Sequence, residues 1–365
     1  MTVATSAFRR LSGARPRPRT PLRTPLRAAR ATGTQVGESP DKASVMGRSV
    51  GAGEAGAGGS VTVMAAQLRQ LRNRIRSVKS TAKITRAQEL IAAARISQAQ
   101  LRLFQAMPYA RQVTRAVEAL IGHHVHMDHA LLNEAPDTSR VALLVVTSDR
   151  GFCGAFNNNA IKQGEALMAR LREQDAEPVL YVCGQRGIDH FRFKGVPVER
   201  SWHGDSGRPD YATTAEIGQT LLEAFDLPTR EGGVGGVHVV YTEFVSMLSQ
   251  RVAVRRVLPL EIEEVEEGEA EARAESAYEF EPDPLLLLDG LLRQYVHGRL
   301  WHMRLESAAA EHAARRAAMM SATDNAIELI ERLTRQANEA RQEEITMEIT
   351  EIVAGANALG AGRSD

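Results

Sequence analysis

Cysteine is nearly missing from this chain: only Cys153 and Cys183 occur. That excludes a disulfide framework and suits a reducing compartment. Aromatic residues make up only 5% of the sequence. This is thin for a chain built wholly around thick globular cores, so part of it is expected to be elongated. No run of 18 apolar residues exists, and the Leu stretch at 285–288 is far too short to span a membrane. Net charge is absent as well, with 45 Lys+Arg against 45 Asp+Glu, which argues against a whole-chain nucleic-acid binder. There is no Gly-Lys dipeptide, so a Walker A phosphate loop is excluded. No Ser/His/Asp or Cys/His set stands out for nucleophilic catalysis. What is present is length, 365 residues, enough for two ordinary domains.

The charge balance hides strong blocks. Residues 1–30 carry eight Arg and no acid, residues 64–103 carry nine Lys/Arg against the single acid Glu89, and residues 261–283 carry eleven acids against Arg273. Residues 1–63 combine the Pro/Arg-rich run ARPRPRTPLRTPLR with the spacer GAGEAGAGG. Neither buries enough apolar surface to offset ordering entropy, so a disordered extension is expected. Two readings fit it: an organelle transit peptide, which is Arg-rich and acid-poor, or a start codon assigned too early. A coherent helical pattern directly after Met64 favours the second, and mass spectrometry of the mature N-terminus separates them. The acidic stretch 261–283 reads as a solvated linker.

Two segments read as long helices, 64–122 and 284–360. In the first, Leu68, Leu71, Ile75, Val78 and Ala82 recur at spacings of three and four. After a slip, Ile84, Ala87, Ile91, Ala94, Gln98 and Leu101 continue the pattern. Pro108 is expected to kink or end this helix. In the second, Ala326, Ile330, Leu333, Ala337 and Ala340 form one seam and Ile345, Ile349, Ile352, Ala356 and Leu359 another. A period near 3.5 is the coiled-coil signature. Some 70 helical residues extend roughly 105 Å at about 1.5 Å each, too long for one wall of a compact domain. Each seam needs a partner, so the economical arrangement is an antiparallel two-helix coiled coil made from the two helices. The alternative is two separate amphipathic helices on a globular core.

The middle, 139–260, alternates. Strand runs lie at 141–148, 178–184, within 195–202, at 237–244 and at 251–260, with helical patterns at 158–172, 185–192 and 211–225. That alternation implies a Rossmann-like, mostly parallel α/β sheet covered by helices. The turn after the first strand, TSDRGFCGAFNNN, holds Gly151 and Gly154. It reads as a tight strand-to-helix turn rather than an anion cradle. The run GHHVHMDH places His123/His126 and His126/His129 at i, i+3, beside His124 and Asp128. Such pairs suit Zn²⁺ or Ni²⁺, but no fourth-ligand cluster accompanies them and a polar helix end is the plainer reading; no metal site and no cofactor are expected. Cys153 and Cys183 read as two small buried thiols. The basic first helix lacks interleaved aromatics, so acidic protein loops explain it as well as nucleic acid does.

The run ITMEITEIVAGANA (345–358) resembles the C-terminal signature of the gamma subunit of rotary, F-type, proton-translocating ATP synthases. Ile345, Thr346, Glu348, Glu351, Gly355 and Ala356 fill its required positions. SATDNAIELI (321–330), LRNRIRSVKSTAKITRAQELIAAAR (71–95), SDRGFCGAFN (148–157) and YTEFVSMLSQ (241–250) look like the same family. The QELIAAAR form and the bias of Arg over Lys look like a high-GC, Gram-positive bacterial version.

The resemblance implies a non-catalytic central shaft. Its paired helices thread a hexamer of three alpha and three beta subunits, one copy per complex. Its α/β domain meets the epsilon subunit and the ring of c subunits, so that proton flow drives rotation and ATP synthesis. It implies no membrane span, no nucleic acid, and a peripheral place on the cytoplasmic face of the plasma membrane, or on an organelle inner or thylakoid membrane if the extension is a transit peptide. It implies beta-subunit contact by Lys83, Arg86, Gln88, Arg315, Gln342, Thr346 and Glu348. Gln88 departs from the Met common in the family. Rival readings are a coiled-coil adaptor of another assembly, or an α/β enzyme with helical arms.

Overall fold

The computed structural model describes residues 58–123, 131–132, 139–260 and 284–361. Most of the N-terminal extension, the acidic linker 261–283, and His124, His126, Asp128 and His129 lie outside them. Helix α1 spans Gly58–His123. It therefore starts six residues before Met64, inside the stretch expected to lack structure. Pro108 sits within α1 without ending it.

The middle of the chain follows as β1 (Arg140–Val146), α2 (Phe156–Glu173), β2 (Glu177–Cys183), α3 (Gln185–Phe193), β3 (Arg200–Trp202), α4 (Tyr211–Asp226), β4 (Gly236–Phe244) and β5 (Gln250–Leu258), and α5 (Pro284–Ala361) completes it. The five strands form one sheet in the order β3-β2-β1-β4-β5. All neighbours are parallel except β4 and β5. The mostly parallel α/β sheet expected from the alternation is therefore present, with one antiparallel edge strand.

β1 is apolar along almost its whole length because the sheet is covered on both faces. Leu143 and Val145 point to one face, against Ile161, Met168 and Leu171 of α2 and Ile188 and Phe191 of α3. Ala142, Leu144 and Val146 point to the other. There they join Ile217 and Leu221 of α4, Leu292, Val296 and Leu300 of α5, and Val117 and Leu120 of α1. The period-two alternation of a strand thus assigns each residue its layer. Gly184 marks the tightest approach: it has φ +104, and a Cβ there would lie 2.3 Å from the Thr147 carbonyl oxygen.

The chain falls into two compact units. One holds residues 78–330, the sheet with the adjoining parts of α1 and α5. Within it the two long helices pack together. Tyr109 donates to Gln294 Oε1 at 3.2 Å, and the Thr85 and Thr323 hydroxyls meet at 2.7 Å. As the α1 number falls, the α5 number rises, so the pair is antiparallel. The other unit holds the described residues up to 77 together with 331–361, and buries Leu68, Leu333 and Ala337.

Candidate functional site

The seam of α1 runs without the expected slip. From Leu68 the inward positions are 71, 75, 78, 82, 85, 89, 92, 96 and 99, in strict alternation of three and four. Ala92 and Ile96 are fully buried, whereas Ile84, Ile91 and Leu101 are 60%, 45% and 57% exposed. Ala87, Ala94 and Gln98 also face outward. Two polar residues at seam positions explain the difference. Thr85 is satisfied by Thr323, and Glu89, only 7% exposed, accepts a 2.8 Å bond from Arg86 Nη1. Counting apolar residues skips both and jumps to the outer face.

α5 repeats the effect. Ala326, Ile330, Leu333, Ala337 and Ala340 lie inward as expected. The continuation does not: Ile345, Ile349 and Ile352 are exposed, as is Ala356, and the inward positions are Glu344, Met347 and Glu351. Both long helices therefore carry an apolar outer strip besides their seam.

The residues named as beta contacts divide accordingly. Lys83, Arg86 and Gln88 are exposed on α1, and Gln342, Thr346 and Glu348 are exposed on α5. The Thr346 hydroxyl donates to the Gln342 carbonyl at 2.8 Å, so its own helix holds it. Of the signature residues, Ile345, Gly355 and Ala356 are exposed and Glu351 is half-buried. A Cβ on Gly355 would meet nothing within 4 Å. Arg315 differs from the other candidates. It is buried, pairs with Glu311 at 2.8 Å, and donates to the carbonyls of Arg150 and Gly151 at 3.2 and 3.3 Å. Its guanidinium clamps the turn after β1 to α5 and is spent inside the chain.

That turn is stapled from within. Asn157 Oδ1 accepts the Ser148 N–H at 2.8 Å, and its amide donates to Cys153 Sγ at 3.2 Å. Phe152, at φ 60, is turned outward and is 82% exposed. Cys153 and Cys183 are both free and buried, as expected. Burial raises the Cys153 thiol and pushes Cys183 up to about 11.

Two buried ionic clamps escaped sequence reasoning. In one, Glu243 on β4 accepts from Arg251 and, at 2.6 Å, from Arg255, both on β5. These bonds outweigh partial burial and hold its carboxyl below the usual range. Glu306 of α5 lies beside it, pushed up to about 7 by burial and by the Glu243 charge. In the other, Arg304 of α5 is 2% exposed, pairs with Asp205, and donates to Thr214 Oγ1 at 2.6 Å. The signal available was weak: charged residues inside α5 at positions the apolar rhythm assigns to a core. Among the described residues no cluster of three or more His, Cys, Asp or Glu could hold a metal ion.

The chain matches the family model for ATP synthase over residues 67–359. It is 53% identical over 300 residues to the ATP synthase gamma chain of Thermobifida fusca, covering 82% of this chain and 98% of that one. The gamma chain of Saccharopolyspora erythraea is 50% identical, covering 82% of this chain and all of its own. Among solved structures, a chain of the Euglena gracilis mitochondrial ATP synthase assembly containing F1 and the c-ring shares the fold. Its TM-score is 0.58 at 16% identity, over 82% of this chain and 97% of that one. A fold of antiparallel long helices on a mostly parallel sheet, matched over residues 67–359, leaves one assignment: this chain belongs to the ATP synthase gamma chain family.

Proposed function

We propose that this chain is the central rotor shaft of an ATP synthase, coupling proton flow through a membrane ring to conformational change in a catalytic hexamer. The observation that carries this reading is the unbroken family match over 67–359, which takes in the helix pair and the sheet together. The rotor itself does no bond chemistry. Among the described residues, Glu243, Arg304, Glu311 and Arg315 are committed to internal clamps, the two thiols are held neutral by burial, and the exposed candidates are spread along two helix surfaces. Mechanical coupling needs a member that keeps its shape under load. Each elementary charge crossing 100 mV supplies about 2.3 kcal/mol, so several successive turns of seam must share the strain.

The partners in this reading are alpha and beta subunits around the helices, with an epsilon subunit and the c ring at the α/β domain, and one shaft per complex. The exposed strips of α1 and α5 suit the first contact: Ile84, Ile91, Ile345 and Ile349 are large apolar side chains left to solvent, interleaved with Lys83, Arg86, Gln88 and Glu348. No helix among the described residues is long and apolar enough to cross a membrane, which is compatible with a peripheral place on the cytoplasmic face. Purification of the native complex by a tag on this chain, followed by subunit identification, tests the reading. Alpha, beta and c subunits are expected in the eluate; their absence from an intact, active preparation overturns it.

A further inference from the structure

A cleft of about 470 Å³ opens between α1 and the loops that follow β1 and β3. The volume falls within the range of small-ligand pockets. Four arginines line it: Arg95 and Arg102 from α1, Arg150 from the turn after β1, and Arg208 from the loop after β3. Arg95 and Arg150 lie close enough for both charges to act on the His312 imidazole, itself bonded to the Gly207 carbonyl at 2.8 Å. Among the described residues none of the four guanidinium groups makes an ion pair or a hydrogen bond.

The acids of the cleft do not balance them. Asp205 is taken by Arg304, and Glu311 by Arg315. Asp149 is satisfied by the backbone N–H groups of Ser206 at 2.9 Å and Gln185 at 3.1 Å. Asp205 and Glu311 are thus each paired with a buried arginine, and the ionised Asp149 is held by backbone N–H groups of neighbouring segments, so its single charge faces four unpaired cations lining one space. Like charges gathered at the mouth of a cleft repel one another and favour a counter-anion. Arginine forks match phosphoryl oxygens two at a time. The space exceeds one orthophosphate, and the buried Ala99, Leu305 and Ala308 line it together with the paired Glu311.

We infer that this cleft is a binding site for a polyphosphate-type anion, either a free chain of phosphoryl groups or the same chain on a nucleotide. The site continues the outward face of α1 beyond Ile91, since Gln98 also lines it, but its charge comes from the loops as well and the inference does not depend on the rotor reading. The full-length chain is titrated calorimetrically with inorganic tripolyphosphate, ATP and orthophosphate at physiological ionic strength. Tripolyphosphate is expected to bind saturably, one per chain, and ATP to compete with it; orthophosphate is expected to bind at least about tenfold more weakly, since it forfeits charge-assisted bonds. The double variant R95A/R150A should weaken tripolyphosphate about tenfold or more. R95K/R150K, which keeps the charge but loses the fork, should recover only part of the loss, and R170A/R172A, on the exposed end of α2, should change nothing. Four outcomes overturn the assignment: no saturable binding, equal weakening by R170A/R172A, orthophosphate as tight as tripolyphosphate, or an acidic peptide that displaces tripolyphosphate at lower concentration. The last makes the cleft a protein-docking site.

Discussion

Glu306 is buried among Glu243, Tyr241 and Arg255 on the strands and His302 and Arg299 on its own helix. Its carboxyl is raised to about 7, so it is protonated in the fold where an unfolded chain would already be ionised. Its stabilising contribution is complete below about pH 4.5 and is lost as pH rises through about 7. His302 and His312, held near 4 by burial, act in the opposite sense. Their contribution is complete above about 6.5 and is lost as pH falls through 4. E306Q isolates the first effect. Relative to the unaltered chain, the variant should gain stability between pH 5 and pH 8, by up to about 3 kcal/mol, read as the difference in urea midpoints at the two values. The Arg304–Asp205 clamp gives a prediction of the other sign. D205N leaves a buried guanidinium without its charge partner and should cost about 3 kcal/mol in the same measurement. Neither clamp was legible beforehand, because a single charged residue within an apolar rhythm carries no sign of which distant strand or loop answers it.

The strands and short helices were readable to within a few residues because each obeys one local rule. β1 is a continuous apolar run since both its faces are covered, and Gly184 stands where only glycine clears Thr147. The long helices were readable as helices, but in register only over 68–82 and 326–340. Their seam admits Thr85 and Glu89, polar yet internally satisfied, and their outer strip offers isoleucine to solvent. A hydrophobic count cannot distinguish a residue buried within the chain from one reserved for another chain. Two substitutions separate the registers. Ile96→Ala, at a site with no exposure, should cost about 2–5 kcal/mol. Ile91→Ala, five residues earlier and 45% exposed, should stay within about 1 kcal/mol. Chemical denaturation of the full chain decides the matter, and comparable losses would restore the slipped seam.

For the whole molecule, the charge blocks matter more than the total. α1 presents Lys83 to solvent without a resolved partner, while Arg86 is shared with Glu89. If this edge meets acidic loops of a surrounding hexamer, K83E/R86E should reduce proton-driven ATP synthesis severalfold while leaving the circular-dichroism spectrum of the chain unchanged. Unaltered synthesis by membranes carrying the double variant would remove these residues from the contact. Arg315 belongs to a different test: R315A should loosen the turn at Arg150 and Gly151, detectable as faster amide hydrogen exchange there, rather than change the helix surface. The family was legible from ordered motifs spanning nearly the whole chain; the arginine cleft was not, since its four members come from three separated segments.

The hydroxyl bond between Thr85 and Thr323 joins positions 238 residues apart. The two halves of that pair are therefore made at very different moments. At a synthesis rate of about 5–20 residues per second, the second threonine follows the first by about 12–48 s. Throughout that interval the nascent first helix displays Ala92, Ile96 and its outer isoleucines together, with the last helix not yet made to shield the seam. Birth order alone leaves this helix open to wrong partners until the last one is made.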